Sequence, residues 1–113
     1  MWLGVDYYPE QWHADMLERD LDTIVELGCN VIRVAEFSWH LMEKREGQYD
    51  FSFFDHVIEK AKERNLKIIM GTPTATIPAW LAAKYPDIVS EFESGKKRTF
   101  GGRHVYCFNS PRM

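Results

Sequence analysis

Cysteine is scarce in this chain: 113 residues hold only Cys29 and Cys107. So sparse a pair gives no disulfide framework. Cys29, at a strand start, reads as a small buried apolar residue, and a free Cys107 beside Tyr106 reads as buried more readily than as a ligand. Clustered positive charge is lacking too. The longest basic tract is Lys96-Lys97-Arg98, and 14 basic against 17 acidic residues leave a net charge of −3. Phosphate binding needs concentrated positive charge, so the composition argues against nucleic acid and anionic membrane partners. No apolar run approaches the ~20 residues that span a bilayer. The N-terminus shows no basic region followed by a long apolar run, so no signal peptide is read and a cytoplasmic protein is expected. There is no His-Glu-x-x-His pattern, no Gly-x-Ser-x-Gly elbow and no glycine-rich phosphate loop. His13 and His56 fall within predicted helices and read as surface residues.

What is present is an alternation of strand and helix. Trp2 to Tyr8 reads as a strand that stops at Pro9. Residues 11–27 read as an amphipathic helix, with Leu17, Leu21, Ile24 and Val25 at helical spacing. Asp15 and Arg19 are placed to pair on its outer face, and Gly28 suits a left-handed cap. A second strand runs from Asn30 to Glu36. Residues 38–50 read as a polar loop carrying Gly47. A second helix starts near Ser52, with Asp55 completing a capping box, and ends at Asn65. Its apolar face is Phe54, Val57, Ile58 and Ala61. Leu66 to Met70 is a third strand, Pro78 to Lys84 a short helix, residues 86–103 an irregular loop, and residues 103–108 a short extended piece. The order βαβαβ implies an α/β fold with parallel strands.

The second strand carries the most pointed signal. Val31, Ile32, Val34 and Ala35 suit a strand covered on both faces. Arg33 interrupts that run, and a guanidinium is rarely buried without a carboxylate or polar ligand facing it. Glu36, Phe37 and Trp39 crowd the C-terminal end, Asp6, Tyr7 and Tyr8 end the first strand, and Thr72-Pro73-Thr74 ends the third. Ligands in parallel α/β folds bind at the C-terminal ends of strands. Aromatic faces beside a few polar groups suit a polyhydroxylated ligand such as a sugar. Taken singly, each aromatic is more readily explained as core or rim packing.

Five ordered segments carry a resemblance: Gly4-Val5-Asp6-Tyr7-Tyr8-Pro9-Glu10-Gln11-Trp12; Val31-Ile32-Arg33 with Glu36-Phe37-Ser38-Trp39; Glu46-Gly47-Gln48-Tyr49-Asp50-Phe51; Gly71-Thr72-Pro73-Thr74-Ala75; and Phe100-Gly101-Gly102-Arg103 through Tyr106-Cys107. Together they resemble the N-terminal part of the glycoside hydrolase family 42 β-galactosidases. The resemblance implies a (β/α)8 TIM barrel that releases terminal β-linked galactose with retention, through one glutamate acid/base and one glutamate nucleophile about 5–5.5 Å apart. A full barrel needs ~250 residues, so residues 1–113 are expected to supply the first three βα units of one catalytic domain. The acid/base, which follows an asparagine at strand four, and the nucleophile, at strand seven, are then expected beyond Met113. No Asn-Glu pair occurs here, and the 113-residue chain alone is expected to be an inactive fragment.

By the same resemblance, Arg33 lies beside the nucleophile and keeps it ionised, and Arg103 contacts substrate. Glu36, Trp39 and Tyr7 are expected in supporting roles. Cys107 matches the first of the cysteines that bind a structural zinc in some members, a site needing about four ligands. No cofactor is otherwise expected. A β-galactoside is the implied substrate, and a homotrimer the implied assembly. Another barrel glycosidase, or a non-catalytic module that binds sugar or a partner chain, stays open as an alternative.

Overall fold

The computed structural model describes residues 1–113. In chain order its elements are β1 (Gly4–Asp6), α1 (Leu17–Glu26), β2 (Val31–Val34), α2 (Trp39–Met42), β3 (Glu43–Arg45), β4 (Gln48–Tyr49), α3 (Ser52–Glu63), β5 (Lys67–Met70) and α4 (Ala79–Lys84), with 3-10 turns at Pro9–Gln11, Ala14–Met16 and Pro86–Ile88. They gather into two compact units. Unit one is Met1–Ala35 with Phe51–Gly71; unit two is Glu36–Asp50 with Thr72–Met113.

Unit one is a three-stranded parallel sheet, ordered β1-β2-β5, with α1 and α3 as its helices. In α1 the apolar positions Leu17, Leu21 and Ile24 are buried, and in α3 Phe54, Val57 and Ala61. Ile32 and Val34 of β2 are also fully buried. Both helices end in the same device. Cys29 N–H bonds the Ile24 carbonyl and Gly28 N–H the Val25 carbonyl; Leu66 N–H bonds Ala61 and Asn65 N–H bonds Lys62. These are paired Schellman bonds, closed by left-handed residues, Gly28 at φ 84° and Asn65 at φ 57°. Asn30 then fixes the start of β1. Its Oδ1 accepts Leu3 N–H at 2.9 Å, and its Nδ2 donates to the Met1 carbonyl at 3.0 Å. Gly4 has no room for a side chain, since a Cβ there would lie 2.3 Å from the Val31 carbonyl oxygen.

Unit two has its own core of Ile77, Leu81, Ile88, Val105 and Tyr106, with Trp39, Trp80 and Tyr85 packed against it. Its antiparallel β3–β4 hairpin turns at Glu46-Gly47, where Gly47 takes φ 75°.

Several expectations are corrected. The first helix begins at Leu17, not at residue 11, because His13 is extended and two 3-10 turns occupy residues 9–16. Val25 and Ile58, assigned to apolar faces, are exposed. The outer face of α1 pairs through Glu18 and Asp22 to Lys60 and Arg64 of α3. The residue at the N-cap of α3 is Phe51, with no side-chain cap bond, so the Ser52–Asp55 box does not start the helix. Residues 38–50 are not a loop but α2 and the hairpin. The piece at 103–108 contributes a single bridge, Val89 to Tyr106. Cys29 is half-buried, not buried.

Candidate functional site

In unit one, parallel pairing brings the strand ends to one level. Asp6 stands opposite Arg33, and Arg33 opposite Ile69. The ladder runs on past the strands, with Tyr7 N–H bonded to the Arg33 carbonyl at 2.8 Å and Gly71 N–H to the Val34 carbonyl at 2.9 Å. Alternation then sorts the side chains. Ile32 and Val34 are buried, whereas Arg33 is exposed, and Ile69 on the same face is 55% exposed. Within residues 1–113 the expected burial of Arg33 is not seen: these residues cover only one face of β2, and Arg33 stands on the other. It lines an open groove of about 320 Å³ with Gly4, Asp6, Val31 and Ile69.

Tyr7 does not stand in that groove. It is buried, and its hydroxyl donates to Asp20 Oδ2 at 3.0 Å, tying the end of β1 to α1. Burial, and then the Asp20 carboxylate, push the phenol well above its ordinary range. Ala35, the last residue of unit one before the chain crosses, is fully buried at φ 77°. That region is rare for a residue with a Cβ, and such strain gathers at functional sites.

Unit two brings Glu36 and Arg103 together. Arg103 Nη2 donates to Glu36 Oε1 at 3.4 Å, and its guanidinium lies 4.8 Å from the centre of the Phe37 ring. Arg103 is 61% exposed at its side chain and Glu36 only 16%. Trp39 does something else. Its Nε1–H donates to Glu43 Oε2 at 2.7 Å, while Glu43 Oε1 accepts Gly47 N–H at 2.7 Å. Trp80 Nε1–H in turn donates to the Glu43 carbonyl at 2.7 Å. Glu43 is buried, so its carboxylate ties the Trp39 indole of α2 to the hairpin turn, while its backbone carbonyl takes the Trp80 indole. Sequence reasoning missed Glu43: it sits among polar residues, and only its fourth-residue spacing from Trp39 and Gly47 hints at the clamp. Trp39 thus has a packing role that its strand-end position did not reveal.

Cys107 is half-buried, and its N–H bonds the Ile88 carbonyl at 2.7 Å. No three His, Cys, Asp or Glu residues of the chain come together to hold a metal. A structural zinc needs about four ligands, so these residues do not by themselves fit the metal.

The profile of glycoside hydrolase family 42, described as β-galactosidase, matches residues 6–113. The chain belongs to this family. The β-galactosidase BgaA of Clostridium cellulovorans is 48% identical over 113 residues, all of this chain and 17% of the relative. A Thermus thermophilus β-galactosidase is 41% identical over 96% of the chain and 17% of its own length. Among solved structures, the Bacillus circulans sp. alkalophilus β-galactosidase superposes with a TM-score of 0.92 at 41% identity, covering 98% of this chain and 16% of that one. The Halorubrum lacusprofundi enzyme gives 0.90 at 41% identity, covering 97% and 16%. The family 42 chain therefore spans about one sixth of the length of the relatives it matches. No helix in it is long and apolar enough to cross a membrane.

Proposed function

We propose that these residues are the first three βα units of a (β/α)8 barrel in a retaining β-galactosidase that releases terminal β-D-galactose. The observation that carries this reading is the family match over residues 6–113. The level strand ends of unit one and the preformed Glu36–Arg103 pair of unit two support it. On this reading Arg33 lies beside the nucleophilic glutamate, which an opposite charge keeps ionised, and Arg103 meets substrate. The acid/base and nucleophile belong to strands four and seven, outside residues 1–113, so the 113-residue chain alone does not hydrolyse glycosides. A cytoplasmic homotrimer without a required cofactor completes the reading. A structural zinc would enter only if further cysteines join Cys107.

The test is a panel of nitrophenyl glycosides offered to the protein made from the complete reading frame, with the product anomer followed by NMR. Preference for the β-galactoside with release of β-galactose is expected. Preference for another sugar, or inversion at the anomeric carbon, overturns the proposal.

A further inference from the structure

We propose that Glu36 and Phe37 are positioning residues for Arg103, preforming its guanidinium as an anchor for adjacent hydroxyls of a pyranoside. The inference rests on the β-galactosidase reading and names a device inside that site. A guanidinium is a planar fork with five donors. Here the edge of the plane meets a largely sheltered carboxylate at 3.4 Å, and the plane lies 4.8 Å from an aromatic ring centre. The side chain is nevertheless 61% exposed, so donors remain for a ligand. Both halves of the arrangement are tied to the same dipeptide. His104 N–H, next to Arg103, bonds the Ala75 carbonyl at 3.0 Å. The Thr76 hydroxyl donates to the Phe37 carbonyl at 3.5 Å. Ala75 and Ile77 are buried, as are Val105 and Tyr106 just beyond Arg103. His104 itself takes φ 51°, a turn that separates exposed Arg103 from this buried pair.

The consequence is entropic. A long side chain on a loop loses rotamer freedom when it clamps a ligand, and a preformed one loses less. Glu36 and Phe37 should therefore act on binding, not on bond breaking.

The experiment uses the complete protein. Phe37→Leu keeps apolar volume but removes the ring face. It should raise KM for nitrophenyl β-galactoside about three- to fivefold with kcat within about twofold, the range of an exposed cation–π contact. Phe37→Tyr should restore KM. Glu36→Gln should raise KM in the same sense and guards against misfolding of the leucine variant. With Arg103→Met in place, which removes the cation, Phe37→Leu should add nothing further. A second readout needs no sugar: the Arg103 Hδ resonances should carry an upfield ring-current shift that Phe37→Leu abolishes and Phe37→Tyr keeps. Unchanged KM in both Phe37→Leu and Glu36→Gln overturns the proposal. So do equal losses in the leucine and tyrosine variants, or additivity with Arg103→Met. A wild-type protein that hydrolyses no galactoside overturns the functional reading instead. In that case an Arg103 resonance without a ring-current shift overturns the positioning as well.

Discussion

Removing the Glu43 side chain should destabilise unit two more than its position in a polar stretch suggests. Glu43→Ala strands two donors, Trp39 Nε1–H and Gly47 N–H, each now 2.7 Å from a carboxylate oxygen. A buried donor left without an acceptor costs about 1–3 kcal/mol. Trp39 is half-buried and should sit near ~2 kcal/mol on that scale, whereas Gly47 is exposed and regains water for ~1 kcal/mol or less. The Trp80 bond goes to the Glu43 backbone and survives the substitution. The sum is about 3 kcal/mol, a large share of the ~5–15 kcal/mol that holds a domain folded. Urea unfolding followed by tryptophan fluorescence reads it in a Trp2→Phe, Trp12→Phe background, because Trp39 and Trp80 lie in unit two and the other two tryptophans in unit one. The decisive comparison is a double-mutant cycle. In a Trp39→Phe background the orphaned indole is gone, so Glu43→Ala should cost only ~1 kcal/mol. A single-mutant loss below ~1 kcal/mol, or additivity within ~0.5 kcal/mol, would refute the clamp.

Two further outcomes are expected in unit one. Gly4→Ala places a Cβ 2.3 Å from the Val31 carbonyl oxygen and 2.5 Å from Val31 Cγ1, which forces β1 off β2. The loss should reach ~3 kcal/mol, and hydrogen exchange at Tyr7 N–H, bonded to Arg33, should quicken; unchanged protection would contradict the packing. The acid response comes from α1. Lys60 and then Arg64 hold Glu18 below its ordinary 4.5, and Arg64 holds Asp22 below its ordinary 3.8. Depressed values stabilise the fold fully above the ordinary pKa and lose that contribution as pH falls through the lower folded-state values. Stability of unit one should thus begin to decline as the medium is acidified below 4.5, where the Glu18 contribution starts to be lost, and decline further below 3.8, where that of Asp22 follows; Arg64→Met should flatten the decline. An identical acid profile in that variant would exclude the network as its cause.

How far the fold was legible depended on what each signal measures. Leu17, Leu21 and Ile24 announced α1 because burial imposes helical spacing, and Gly28 marked its end because few residues tolerate φ 84°. The same logic failed at residues 11–16, where no apolar stripe constrains the backbone and 3-10 turns take over. The hairpin at 43–49 is held by one carboxylate rather than by alternating apolar residues, so period-two reasoning had nothing to find. Arg33 is chemically unusual in its run, but its apolar neighbours suggest burial on both faces. In unit one the residues alternate between a covered and an open face, and a run of sequence cannot show which face a second layer covers. At the site, residue types point to Glu36, Phe37 and Arg103, whereas Ala75 and Thr76, which tie them together through one backbone carbonyl and one hydroxyl, meet backbone partners that residue types do not announce.

The order β1-β2-β5 leaves a free edge on each outer strand. Beside these edges Trp2, Leu3, Ile69 and Met70 are exposed. During translation such a sheet is adhesive from both sides as soon as residue 70 clears the ribosome, and unpaired strand edges are templates for another chain. On the proposed barrel reading, an interval with both edges bare is a race between correct neighbours and aggregation, so speed of synthesis and chaperone capture bear on this segment.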